Sequence, residues 1–195
     1  MDAKKIVQVG IAGTGKSTLT EKMRKNFRDK GFGVLIYDIK NEKCYEDVPL
    51  MPLSALKRWN GKGEYKISMM SDDDFDILEV FKIIRDRKGE LRNFLFVLED
   101  ANGYINSGVQ KPIRAVIGAC RQWGITLLAN YWALHQVPPF FAELANYLII
   151  RKTNDTFTRA KDVEKFTKQD LVFDSWRKVQ SHPDNFHSIT LKISN

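Results

Sequence analysis

Gly10-Ile11-Ala12-Gly13-Thr14-Gly15-Lys16-Ser17 lies between two stretches of different periodicity. Before it, Ile6-Val7-Gln8-Val9 is short and β-branched and reads as a strand. After it, Thr14 to Lys30 reads as a helix, with Leu19, Met23 and Phe27 at i, i+4 and i+8 marking the face expected to be buried. The octet fits G-x4-G-K-[ST], and between a strand and a helix that spacing builds an anion cradle. Glycines let the backbone turn its N–H groups inward around phosphate oxygens, and the helix N-terminus adds the positive end of its dipole. Gly10, Ala12, Gly13, Thr14, Gly15, Lys16, Ser17 and Thr18 are therefore expected to line a phosphate site. Lys16 would act there as a mobile point charge, and the Ser17 hydroxyl would face Mg²⁺.

Outward from the loop, short apolar runs alternate with helical patterns, which is the signature of βαβ units and a mostly parallel sheet. Val34–Tyr37, Phe94–Leu98, Ile125–Ala129 and Tyr147–Ile150 read as strands, with an edge strand at Tyr65–Met70 and a closing strand at Ser188–Ile193. Ser71-Asp72-Asp73-Asp74 fits the start of a helix running through Leu78, Phe81 and Ile84 to Lys88. Pro112 suits the first turn of a helix to Trp123, and Thr158–Val179 reads as one charged helical stretch. Neither an internal repeat nor a linker interrupts the 195 residues, so a single domain over 1–195 is expected. Apolar residues make up 43% and charged residues 28%, with only 12 Gly and 6 Pro, which excludes disordered, collagenous and low-complexity classes. The net charge of +7 favours a polyanionic partner, either nucleic acid or anionic lipid. Cys44 and Cys120 cannot form a disulfide framework and read as reduced thiols of a cytosolic protein. The N-terminal residues lack a signal-peptide core, and no apolar run approaches the roughly 20 residues of a membrane span.

The strand Phe94–Leu98 ends in Glu99-Asp100, where a P-loop NTPase places its acidic Walker B pair, facing the ligand crevice beyond the strands' carboxyl ends. Glu99 is expected to hold Mg²⁺ and Asp100 to polarise the attacking water, with the two roles open to exchange. Adjacent carboxylates suit a hydrolase, because one can serve the metal and the other the nucleophile.

Three further segments carry a family resemblance: Tyr37-Asp38-Ile39-Lys40-Asn41-Glu42, then Gly124 to Asn130, then Pro138-Pro139 and Ala145-Asn146 before the strand ending at Arg151. The chain resembles the FtsK/HerA superfamily of DNA-translocating ATPases over about residues 5–155. It differs from the family pattern in having Ile39 for the usual Pro and Asn130 for the usual Gln. Its size is similar to that of the genome-packaging ATPases of membrane-containing icosahedral viruses. The resemblance implies a three-layer, RecA-like α/β fold of the additional-strand P-loop type, ATP and Mg²⁺ as ligands, and double-stranded DNA as cargo. It also implies a homo-oligomeric ring, commonly a hexamer, in the host cytoplasm or at a virion packaging vertex, with portal or membrane-embedded viral proteins as possible partners. Asn130 would then sense the γ-phosphate or the attacking water, or else simply cap a loop. Asp38 would organise the Mg²⁺ side of the crevice or cap the following turn.

Ring ATPases complete each site with an arginine from the neighbouring subunit. In the helix over 111–122, Ile113, Val116, Ile117 and Cys120 form the apolar face, leaving Arg121 and Arg114 on the other side. Arg121 is the first candidate, then Arg114, then Arg151, against the alternative of arginines on a solvated face. For DNA, Lys57-Arg58-Trp59-Asn60-Gly61-Lys62-Gly63-Glu64-Tyr65-Lys66 mixes cations with two aromatic rings on an expected turn, and Asn102 to Gly108 is a second candidate loop. His135, His182 and His187 lack metal-ligand spacing and read as structural. Trp59, Trp123, Trp132 and Trp176 read as core or interface. The alternatives to a DNA-translocating ATPase are a nucleoside or nucleotide kinase using the same loop and a Zot-like phage assembly ATPase.

Overall fold

The computed structural model describes residues 2–67, 77–87, 89–105 and 110–194. Seven strands form one sheet in the order β3-β2-β4-β5-β1-β6-β7. These are β1 Lys5–Val9, β2 Gly33–Tyr37, β3 Glu64–Ile67, β4 Phe94–Leu98, β5 Thr126–Tyr131, β6 Tyr147–Ile150 and β7 Ile189–Lys192. All neighbours pair in parallel except β6 and β7, the antiparallel pair at one edge. One strand, β5, lies between the loop strand β1 and the acid strand β4, so the additional-strand arrangement is present.

The helices are α1 Lys16–Asp29, α2 Leu53–Leu56, α3 Ile77–Asp86, α4 Lys111–Trp123, α5 Pro139–Leu144 and α6 Gln169–Ser181. Alternation along the central strands divides the core in two. Val34, Ile36, Leu95, Val97 and Leu128 pack with Phe27 of α1 on one face. Leu35, Phe94, Phe96, Leu127 and Leu148 pack with α3, α4 and α6 on the other, giving three layers. Buried on both faces, β2 and β4 carry unbroken apolar sequences, as central parallel strands do.

Several expectations change in detail. In α1 the buried residues are Thr20, Arg24 and Phe27, whereas Leu19 and Met23 are half-buried. A polar network, described below, takes the place of an aliphatic stripe. The stretch 158–179 is not one helix: a 3-10 turn at Ala160–Val163 precedes α6. That turn is capped by Asp162, whose carboxylate accepts the backbone N–H of Thr158 at 2.9 Å and of Arg159 at 3.1 Å. β3 covers Glu64–Ile67, and residues 68–70 of the expected strand lie outside the described residues, as do the acidic helix start at 71–74 and Lys88. Among the described residues no helix is long and apolar enough to cross a membrane. Both cysteines are free, Cys44 exposed and Cys120 buried.

Candidate nucleotide site

The loop joins β1 to α1 at the carboxyl end of the sheet. Gly13 and Gly15 adopt φ of 75° and 86°, a region that penalises side chains, and Gly15 is the N-cap of α1. A Cβ on Gly10 would come within 2.8 Å of the Arg151 Cβ, so the loop needs glycine there for space. The first turn of α1 carries no acidic side chain, which leaves its positive end open to an anion. The Lys16 Nζ donates to the carbonyls of Gly10 and, at 3.3 Å, Ile11, and burial lowers its pKa. The Lys16 ammonium is thus folded back on the carbonyls of its own loop.

Glu99 and Asp100 follow β4 directly, but they face different partners. Glu99 is 4% exposed, on the α1 side of the sheet. One of its oxygens accepts the Tyr45 hydroxyl and the other accepts Asn130 Nδ2 at 2.9 Å. Burial pushes the Glu99 carboxyl up to about 7, with the Tyr45 and Asn130 hydrogen bonds pulling the other way. Asp100 takes a left-handed backbone, φ 46°, that turns the chain after the strand. Its carboxylate meets Lys40 Nζ at 2.5 Å and accepts the Trp132 indole N–H. The Lys40 ammonium also lies over the Trp132 ring, 4.4 Å from its centre. Both acids, together with Lys16, Lys40 and Trp132, line a cleft of about 430 Å³ at the loop, the size class of nucleotide pockets.

Asn130 is fully buried within β5, not after it, and lies opposite Gln8 in the register of β1. It donates to Glu99 and, at 3.3 Å, to Thr20 of α1, while its own Oδ1 has no partner among the described residues. It therefore ties the acid to the helix behind the loop and caps no loop. Asp38 caps: its carboxylate accepts the backbone N–H of Lys40 at 3.2 Å and of Glu42 at 2.7 Å.

The arginines separate. Arg151 is 8% exposed and donates to the Thr14 carbonyl at 2.7 Å, so it braces the loop of its own chain and is not presented to a neighbour. Arg114 and Arg121 are both exposed on α4. Because α4 runs antiparallel to the strands, Arg114 lies near the cleft end, with Phe140 beneath its guanidinium at 4.9 Å. Arg121 lies about 10 Å further along the axis, near Asp2 and Lys4 at the opposite end of the sheet. Of the two, Arg114 is the one at the cleft end of α4.

The basic turn does not form an aromatic platform. Trp59 is 6% exposed and packs on Phe94, with ring centres 5.1 Å apart, and Lys66 is buried with its ammonium on Asn41. Gly61 and Gly63 abut the first residues of β2, so the turn sits at the end of the sheet away from the cleft. In the second candidate loop, the Tyr104 hydroxyl donates to the Glu99 carbonyl at 2.9 Å and its ring packs on Tyr37, so it faces inward. Asn106 to Gly108 lie outside the described residues.

Sequence reasoning missed the supports of the acids. Arg24, 1% exposed, pairs with Glu64 at 2.6 Å and Glu21 at 2.5 Å and lies 4.9 Å over the Tyr45 ring, whose hydroxyl holds Glu99. No local pattern links residues this far apart. Lys40 and Trp132 carried a clearer signal, since each flanks a segment already singled out.

Loop, acids and interposed strand together define a P-loop NTPase fold, mostly parallel and of the additional-strand type. Among solved structures, the chain is similar to the genome-packaging NTPase B204 of Sulfolobus turreted icosahedral virus 2 bound to AMP. The TM-score is 0.78 at 16% identity, covering 99% of this chain and 94% of that one. B204 of Sulfolobus turreted icosahedral virus, described as a DNA-packaging ATPase, matches at TM-score 0.77 and 15% identity, covering 99% of this chain and 94% of that one. The N-terminal domain of zonular occludens toxin from Neisseria meningitidis matches at TM-score 0.50 and 15% identity, covering 79% of each chain. No protein-family model and no curated protein matches the sequence.

Proposed function

We propose that this protein is a Mg²⁺-dependent ATPase that translocates double-stranded DNA, the motor subunit of a viral genome-packaging ring. The observation that carries the ATPase reading is a phosphate loop, opening on an uncapped helix N-terminus, that faces a buried acid pair across one interposed strand. Likeness over nearly the whole length to B204, which is named as a packaging NTPase, supports the cargo.

The residues fit Mg²⁺. Among the described residues no cluster of three His, Cys, Asp or Glu forms a protein cage. Mg²⁺ instead favours a hydroxyl, one or two carboxylates, phosphate oxygens and waters. Ser17 and Glu99 would hold it, and when bound it neutralises phosphate charge. Lys16 would leave the Gly10 carbonyl for the phosphates, an exchange of one set of oxygens for a more negative one. Asp100 would accept a hydrogen bond from the attacking water once Lys40 and Trp132 release it, and Asn130 would keep Glu99 oriented. Arg114, exposed near the cleft end of α4, is the stronger candidate to complete a neighbour's site in a hexamer. Such a ring would work in the host cytoplasm or at the packaging vertex, alongside portal or membrane-embedded viral proteins. The toxin-domain likeness supports a second reading, a Zot-like assembly ATPase.

The test is phosphate release by the purified chain with and without linear double-stranded DNA, together with particle mass. DNA-stimulated turnover by a ring, abolished by Lys16→Ala, is expected. Turnover that ignores DNA would refute the motor, and turnover surviving Lys16→Ala would refute the site.

A further inference from the structure

The sheet order gives the cleft a direction. Lys16 lines it at the end of β1, and both acids follow β4, two strands to one side of β1. If the acids act on the terminal phosphate, the nucleoside must leave on the other side, toward β6 and β7. On that side the segment between α6 and β7 lies against the loop. Arg151, at the end of β6, donates from one Nη1 to the Thr14 carbonyl at 2.7 Å and to the Phe186 carbonyl at 3.4 Å. Lys152 Nζ reaches Asn185 Oδ1 at 2.9 Å, and the Phe186 N–H donates to Asp184 at 2.8 Å. The His182 and His187 rings stack at 3.8 Å and close the base of the segment. A segment so tied down nevertheless leaves its one phenylalanine 64% exposed, with the ring at the rim of the cleft and within reach of Gly15.

We propose that Phe186 is the platform on which the nucleotide's base stacks, and that Arg151 positions it by joining its backbone to the phosphate loop. The inference rests on the nucleotide reading above and adds the base-binding side of that site. A large exposed ring fixed at its backbone presents a π-face, and base stacking on an aromatic side chain is sequence-tolerant and strong enough to dominate the non-phosphate part of the affinity.

The test is calorimetric titration of the full chain with Mg²⁺-ATP and, separately, with inorganic tripolyphosphate, which has no base. Phe186→Ala should weaken ATP binding about thirtyfold, the middle of the range for one lost stack, and leave tripolyphosphate affinity within about twofold. Phe186→Trp should retain ATP affinity, since it keeps a π-face. Unchanged ATP affinity in Phe186→Ala, or an equal loss for tripolyphosphate, would overturn the platform. If the unsubstituted chain binds tripolyphosphate as tightly as ATP, the platform fails while the phosphate site stands. If it binds neither, the nucleotide reading falls and takes the platform with it.

Discussion

Glu99→Gln should make the protein more stable, and the gain should depend on pH. Burial pushes the Glu99 carboxyl up to about 7 from an ordinary 4.5, so the folded chain holds this proton more tightly than the unfolded chain. Stability is therefore greatest in acid, falls as pH rises between about 4.5 and about 7, and stays lowered above that window. At about 1.4 kcal/mol per pH unit, the gap corresponds to a cost of about 3 kcal/mol at pH 8, shrinking below about 1 kcal/mol at pH 5. Glutamine carries no charge to desolvate and keeps an oxygen for the Tyr45 hydroxyl. Its amide can donate to Asn130 Oδ1, which has no partner among the described residues of the parent chain, if the asparagine turns its amide over. In a chain of this length, about 3 kcal/mol raises Tm by about 6–12 °C. Thermal unfolding followed by circular dichroism at the two pH values measures the difference. A variant no more stable than the parent at pH 8, or a gain that does not shrink toward pH 5, would refute the account of Glu99 as a charge held in a dry place. The same variant should lose hydrolysis, since the ionised group is the one proposed to serve the metal.

Three other outcomes are expected. Asp100→Asn should bind ATP near parental affinity in calorimetry but release phosphate at least about 100-fold more slowly, the scale of a lost proton acceptor; lost binding would move this residue to the metal. Arg24→Leu should lower stability by about 3 kcal/mol in urea unfolding, because Glu64 keeps only Arg28, at 2.7 Å, for its charge. A change under about 1 kcal/mol would show that the network is loose. Trp59→Ala should cost about 3–5 kcal/mol as a core cavity, while the salt dependence of DNA binding stays the same. A flattened salt dependence would return the basic turn to the DNA interface.

The parts of the site legible in the sequence were those whose chemistry is local. Gly10 to Ser17 lie within eight consecutive residues, and Glu99-Asp100 ends an apolar run, so spacing alone places them. The same holds for the apolar face of α4, where Ile113, Val116, Ile117 and Cys120 are all buried. What spacing could not give was pairing across the fold. Arg24 carries no local signal because its partner Glu64 enters from β3, on the far edge of the sheet. Trp59 carried two readings, a ring on the basic turn and a core or interface residue, and it is buried because that turn folds under β2 and brings the indole onto Phe94. The order of Arg114 and Arg121 could not be read for a similar reason: helical spacing puts both on one face, and only strand direction tells which end meets the cleft.

The position of β5 fixes the gape of the jaws. Neighbouring strands lie about 4.8 Å apart, so a single inserted strand holds loop and acids about 10 Å from each other across the sheet. That span accommodates a phosphate and a water between cradle and carboxylate. Asn130, mounted on the spacer itself, reaches the far jaw at Glu99 while its strand stays paired with that of the near one.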